Sequence, residues 1–317
     1  QLIEVYYNQL DDNTKKNYNR GFERYLALWG MEVHSAETKQ MLQSKAGSQL
    51  AIEARLLAMQ SLDPKDAAVL LLESYDDLGR PFNKDEWTVV ISQLAIASVK
   101  QKIIQLATRP AKLGAFLKGM LALDSAVAAN ADLKELMSGL LVARAKQKLA
   151  AGDFDELLNL TRKFKAAAMA PVLITRLKSS RPAVQARISL YNTLRELQAG
   201  SPELFVTDLA SSNASLQRAA LSAYVALDDA TVVMGVAKQW DSLSGVLRQL
   251  ASNSLLGTAA KAAAFAEAIQ KGEFDGFEPM LLSRLVEMLG RDHPAMVELL
   301  KQHQDLMQQV YQFTGKK

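Results

Sequence analysis

Three histidines, His34, His293 and His303, are the only imidazoles of the chain, and cysteine is absent. A thiol nucleophile, a disulfide framework and a zinc thiolate site are therefore excluded. The histidines form no HExxH arrangement, and no pair stands at helical ligand spacing, so they offer no metal site. His293-Pro294 after Asp292 reads as a helix start, and His303 sits in the polar stretch KQHQDLMQQ. Carboxylates come in pairs at Asp11-Asp12, Asp76-Asp77 and Asp228-Asp229. General acid–base work needs a shielded site that shifts a pKa. Each pair lies instead beside turn residues, where helix capping accounts for it. No phosphate-binding glycine loop and no GxSxG elbow is present. These residues predict no catalytic, cofactor-binding or metal-binding site and no enzyme. The enzyme alternative is a glycan-cleaving lytic enzyme on a helical scaffold, which needs few acids. No aromatic-rich stretch around a Glu supports it.

What could bind is charge. The net charge is only +3, but it is unevenly placed. Residues 1–86 carry 10 basic and 14 acidic side chains, residues 87–200 carry 17 and 7, and residues 201–317 carry 10 and 13. Leu157 to Arg195 holds eight basic residues and no acid: Arg162, Lys163, Lys165, Arg176, Lys178, Arg181, Arg187 and Arg195. A second acid-free stretch holds Lys100, Lys102, Arg109, Lys112 and Lys118. A basic belt on an otherwise mildly acidic chain points to an anionic partner. The sharpest local site is Lys178-Ser179-Ser180-Arg181-Pro182, two cations beside an expected helix N-terminus, whose free N–H groups favour anions. The candidate partner-binding residues are Arg162, Lys163, Lys165, Lys178 and Arg181. The alternative is that these charges are a solvated face, since aromatic residues for base stacking are sparse there.

Helices must position these residues. Nearly half the chain is apolar, Ala and Leu dominate, and aromatics are 7%. Ala and Leu are the strongest helix formers among apolar residues, and β-branched runs bounded by turn residues are nearly absent. Asp63-Pro64 caps AAVLLLESYDDL, with Gly79 as its stop. Asn83 caps a segment from Lys84 to about Ala107, where Val89, Leu94, Ile96, Val99, Ile103 and Leu106 keep an approximate helical stripe. Further helices are expected near 111–123, 131–150, 154–164, 166–177, 183–198, 202–210, 214–227, 231–238, 242–252, 255–270, 277–289 and 294–313. Short connections between them predict antiparallel pairs. Near the N-terminus, Tyr18, Phe22, Tyr25, Leu26 and Trp29 form an expected apolar side. The longest uncharged apolar run, Thr88 to Val99, is too short to cross a bilayer.

Two stretches repeat 32 positions apart. LITRLKSSRPAVQ (173–185) and FVTDLASSNASLQ (205–217) share Thr, Leu, Ser, Ser and Gln in register. The likeness continues through ARISLYNTL (186–194) and AALSAYVAL (219–227). AAGDFDELL (150–158) and QKGEFDGFE (270–278) form a second repeated signature. There Gly152 and Gly272 are expected in the left-handed helix-ending conformation, Asp153 and Glu273 at the next helix start, and Phe154 and Phe274 buried under the joint. The 205–227 unit resembles a HEAT repeat, with its first helix ending in Leu209, its polar turn Ser211-Ser212-Asn213, and Arg218 where that family often carries a turn-stabilising Arg. The 173–194 unit matches the turn but moves the basic residue to Arg187. The GDF and GEF joints are similar to TPR-like hairpins. Either resemblance implies a fold and no reaction.

The expected fold is therefore all-α, an α-solenoid or superhelix of antiparallel helical hairpins. Residues 1–79 read as an N-terminal helical region and 80–317 as the helical-repeat region, with a boundary near Gly79-Arg80-Pro81. The expected function is a non-catalytic scaffold for a macromolecular partner, foremost a protein in a bacterial assembly. The alternative is a nucleic acid or other polyanion on the 157–195 belt. The Ala-rich composition points to a bacterial source. The lack of cysteine fits an exported, periplasmic protein better than a cytoplasmic one.

Overall fold

In a computed structural model of the chain, the described residues are 18–147, 151–180, 182–277 and 280–304. They form 20 α-helices and no strand, and the structure is 76% helical. Among the described residues no helix is long and apolar enough to cross a membrane. The chain divides into two compact units, residues 1–144 and 145–317.

The first unit holds α1 (Tyr18–Val33), α2 (Ser35–Gln43), α3 (Lys45–Ser48), α4 (Ile52–Met59) and α5 (Pro64–Ser74). It continues with α6 (Lys84–Ser92), α7 (Ala97–Thr108), α8 (Pro110–Ala122), α9 (Ser125–Ala128) and nearly all of α10 (Ala131–Ala145). Asp63 caps α5 by accepting from the Lys65 N–H at 3.0 Å, with Pro64 in the first turn. Asn83 and Glu86 close a reciprocal capping box on α6, at 2.9 and 2.7 Å. This satisfies two of the N–H groups that a helix start leaves orphaned. The single helix expected from Lys84 to Ala107 is two helices. The chain turns at Gln93–Ile96, where the N–H groups of Gln93, Leu94 and Ile96 reach back three residues instead of four. Leu94 and Val99 stay buried on either side of the break, so the apolar stripe survives it.

Aromatic packing holds this unit together. Tyr75, Phe82, Trp87 and Phe116 form a chain of tilted and edge-to-face contacts with ring centroids 4.7–6.0 Å apart. Trp87 is fully buried and lies against Gly119 of α8, where a Cβ would meet the indole nitrogen at 2.2 Å. Arg80 clips the turn between α5 and α6. It donates to both Glu53 carboxylate oxygens (2.7 and 2.6 Å) and both Glu86 oxygens (2.9 and 2.8 Å). These bonds and the two carboxylate charges raise its already high pKa further, although burial opposes this. On α1, three residues of the expected apolar side, Tyr25, Leu26 and Trp29, face outward. Tyr25 and Trp29 are exposed, while the small Ala27 and the flexible Met31 are buried.

The second unit holds α11 (Ala151–Phe164), α12 (Ala170–Ser180), α13 (Val184–Glu196), α14 (Pro202–Leu209) and α15 (Ala214–Ala226). It ends with α16 (Val232–Ala237), α17 (Gly245–Leu255), α18 (Ala259–Gln270), α19 (Met280–Leu289) and α20 (Pro294–Gln302). Packing is between neighbours and next neighbours. α11 meets α13, α13 meets α15 and α15 meets α17, while α14 meets α16, α16 meets α18 and α18 meets α20. The repeated stretches fall at matching places. Residues 173–194 form the α12–turn–α13 hairpin, residues 205–227 form the α14–turn–α15 hairpin, and α13 packs on α15. Asn213 caps α15 by accepting from the Leu216 N–H at 3.0 Å, and the Gln217 side chain ties back to the Leu209 carbonyl at 2.8 Å.

Three helix ends share one stop. After α11, α13 and α18 the residues Lys165, Gln198 and Gly272 take positive φ (52°, 50° and 74°). The next N–H in each case reaches back five residues, to Thr161, Leu194 and Ala268. This is the left-handed cap expected of Gly272. Gly152 does not take it, because it lies inside the first turn of α11. Asp153 sits in that first turn, where a negative charge is favoured, but Glu273 precedes a loop instead of a helix. Phe154 and Phe274 are both buried, the latter edge-on to Trp240 and Phe265.

Candidate functional site

The α12–α13 hairpin and α14 flank a cleft of about 700 Å³. Leu177 and Lys178 reach it from the end of α12, Pro182 from the turn, and Arg187 and Tyr191 from α13. Ser201, Glu203, Leu204, Thr207 and Asp208 close it from α14. Asp208 is only 5% exposed. Its Oδ2 accepts from the Arg187 guanidinium and from the Tyr191 hydroxyl, the latter at 2.6 Å. Burying a carboxylate is costly unless it is paired and hydrogen-bonded, and both conditions are met here. Burial and, second, the bond to Asp208 push the Tyr191 phenol up to about 12. The Tyr191 ring is fixed by an edge contact with buried Phe205, centroids 5.3 Å apart. Glu203 stands exposed in the first turn of α14. The Ser201 hydroxyl and its own backbone N–H hold its carboxyl below the ordinary value.

The basic belt divides in space. Lys178 is exposed on the cleft wall. Arg162, Lys163 and Lys165 sit at the C-terminal end of α11 and do not line the cleft. Arg162 donates to Asn159, and Lys165 is the left-handed stop residue. Arg181 lies outside the described residues. Arg176 lies over the Phe154 ring at 3.8 Å, and Arg187 is taken by Asp208. Leu177, the expected buried equivalent of Leu209, is partly exposed. It lines the cleft, whereas Leu209 is fully enclosed. In the first unit four of the five basic residues of the second acid-free stretch pair with acids elsewhere in the fold. Lys102 pairs with Glu73 (2.8 Å), Arg109 with Asp76 (2.5 Å), Lys112 with Asp76 (3.9 Å), and Lys100 with Asp132 and Glu135 (3.9 and 3.6 Å).

Sequence reasoning missed Asp208, Tyr191 and Glu203. The signal was present in the repeat. At the 32-residue offset Asp208 falls on Arg176, a reversal of charge between two otherwise matching units. Both positions reach back to the preceding hairpin, Arg176 to Phe154 of α11 and Asp208 to Arg187 and Tyr191 of α13. Asp11 and Asp12 lie outside the described residues. Asp229 holds Thr231 through its N–H (2.8 Å) and hydroxyl (2.7 Å). His293 caps α20 by accepting from the Ala295 N–H at 3.2 Å. His303 stacks edge-on against Phe277. Compared with models of known protein families and with curated protein sequences, the chain has no significant match.

Proposed function

We propose that the chain is a non-catalytic helical-repeat scaffold of the solenoid type that binds a protein partner. The observation that carries this is the duplicated hairpin in a unit whose helices pack on neighbours and next neighbours. Such stacking exposes extended surface with little need of chemistry. The cleft between the duplicated hairpins supports a protein over a polyanion. It presents Lys178 and Arg187 beside Glu203 and Asp208, with Leu177, Pro182 and Leu204 on its walls. A uniformly negative strand would meet both acids, whereas a peptide can match mixed signs. The cleft also argues against an acid–base enzyme. A buried carboxylate facing a cavity is the feature such an enzyme would need, but Asp208 already accepts from two donors. The test is retrieval of a partner from the native host, with and without nuclease. A protein that remains bound after nuclease treatment supports this function. Recovery of nucleic acid alone, with binding falling log-linearly between about 50 and 200 mM salt, would replace it with the polyanion alternative.

A further inference from the structure

We infer that the pocket between α17, α19 and the loop at Gly276 takes a phosphate group, free or as a monoester, held by the guanidinium groups of Arg248 and Arg284. This goes beyond the scaffold function and does not depend on it. The pocket measures about 200 Å³, and α17 lines it with Arg248, Gln249 and Ser252, α19 with Arg284. The first support is the sign of its charge. Among the described residues two guanidiniums line the pocket and no carboxylate does. One acid stands outside it. Asp241, 92% exposed, has its Oδ1 3.7 Å from Arg248 Nη2, beyond hydrogen-bond reach. Arg284 pairs with no acid among the described residues, and its Nη1 donates to the Asn253 side-chain oxygen. A cation would enter against two like charges and find only neutral side-chain oxygens on the pocket wall. A phosphate monoester carries a charge of about −1.5 to −2 near neutral pH and matches the pair.

The second support is that Arg248 is held in place before anything binds, and held by neutral groups. Its Nε donates to the carbonyls of Trp240 (3.0 Å) and Leu243 (3.1 Å), and its Nη2 to that of Asp241 (3.3 Å). The guanidinium also lies 5.3 Å from the centroid of the Trp240 ring, which its own N–H fixes to the Asp275 carbonyl at 2.7 Å. These contacts orient the fork and leave it charged. Its Nη1 makes no bond among the described residues and lies near Gly276, where a Cβ would sit 3.8 Å away. The φ of 65° suits glycine, so no side chain at this position covers that edge. On Arg284, Nε and Nη2 also make no bond among the described residues. Open guanidinium edges bind phosphate oxygens in pairs. The third support is placement and size. The pocket touches Gly245, the first residue of α17, and Ser244 makes no side-chain bond to the first-turn N–H groups. The positive end of that helix adds to the same sign. A volume below the roughly 300–1,000 Å³ of sites for larger ligands suits one compact group.

The test uses the whole chain, isotope-labelled at its tryptophans and followed by the indole N–H signals. There are three, from Trp29, Trp87 and Trp240, and Trp240→Phe identifies the one beside the pocket. Inorganic phosphate, a phosphoserine peptide, acetate and an oligo-dT strand are titrated at constant ionic strength. The Trp240 signal should shift saturably with phosphate while Trp29 and Trp87 stay still, and acetate should bind more weakly. Arg284→Gln should weaken phosphate binding about tenfold or more, the size of one charge-assisted bond. Its thermal midpoint should stay near wild type, because Arg284 is exposed. Tighter binding of the phosphoserine peptide than of free phosphate assigns the site to a modified protein, and the reverse order assigns it to the free ion. Either order supports the site. A Trp240 signal that does not shift, acetate equal to phosphate, or an unaffected Arg284→Gln variant overturns the inference. So does tighter binding of oligo-dT, which would make the pocket part of a nucleic-acid contact. Glu278 follows Phe277 in the sequence and lies outside the described residues. If phosphate binds the Glu278→Gln variant alone, the chain's own carboxylate is the occupant and the inference falls.

Discussion

Lys261 is a charge placed where a charge is costly. It is 5% exposed on α18, and its ammonium donates to the Val225 carbonyl at 3.0 Å. Burial lowers its pKa below 10.5, and the charges of Asp228 and Asp229 oppose that only in part. The unfolded chain therefore holds this proton to higher pH than the folded one, so stability rises with pH as the folded group loses its proton. The window lies below 10.5 and is read best under 10, before the raised phenols of Tyr75, Tyr191 and Tyr224 begin to act in the opposite sense. Urea midpoints measured from pH 7 to 10 should climb for the wild type relative to Lys261→Met. Parallel profiles would contradict a lowered pKa. At Gln198, with φ of 50°, a Cβ is strained in the left-handed region. Gln198→Gly should raise stability by about 0.5–1 kcal/mol, the relieved strain less the extra backbone entropy. A lower melting midpoint would show that the Gln side chain contributes more than its backbone costs.

At the scale of elements, the Arg80 clip decides how α4, α5 and α6 meet. Glu86 is 1% exposed and relies on Arg80 and the Asn83 N–H. Arg80→Ala should destabilise by about 2–3 kcal/mol, less than a fully buried pair broken from one side, because Arg80 is partly accessible. Denaturant titration reads this directly, and a change within error would make the clip ornamental. Leu209→Ala in the enclosed end of α14 should cost about 2–5 kcal/mol. Leu177→Ala on the cleft wall should cost about 1 kcal/mol or less. Equal losses would mean that the two hairpins pack alike after all. Much at this scale was legible from caps and pattern: Asp63-Pro64, Asn83, His293-Pro294 and the turn before Asn213 each begin a helix where their chemistry requires. The break at Gln93–Ile96 was hidden, because no Gly or Pro marks it and the apolar stripe continues through it. Lys165 and Gln198 were hidden as stops because neither is glycine. Asp208 was hidden because its partners Arg187 and Tyr191 lie 21 and 17 residues earlier, a separation set by hairpin packing.

At the scale of the whole chain, a run of like charge in sequence is not a run in space. The stretch from Lys100 to Lys112 contains no acid, yet each of its four basic residues meets an acid from another part of the fold. In the 157–195 belt Arg187 is neutralised in the same way and Arg176 lies on an aromatic ring. Lys178 stays accessible beside a cleft, and Arg181 follows it in the sequence. The measurement that tests the scaffold claim most directly is the affinity of the retrieved protein partner for the wild type and for the Lys178→Glu, Arg181→Glu double variant, with thermal midpoints alongside. The account predicts markedly weaker binding by the variant with a nearly unchanged midpoint. Wild-type affinity in the variant would contradict it.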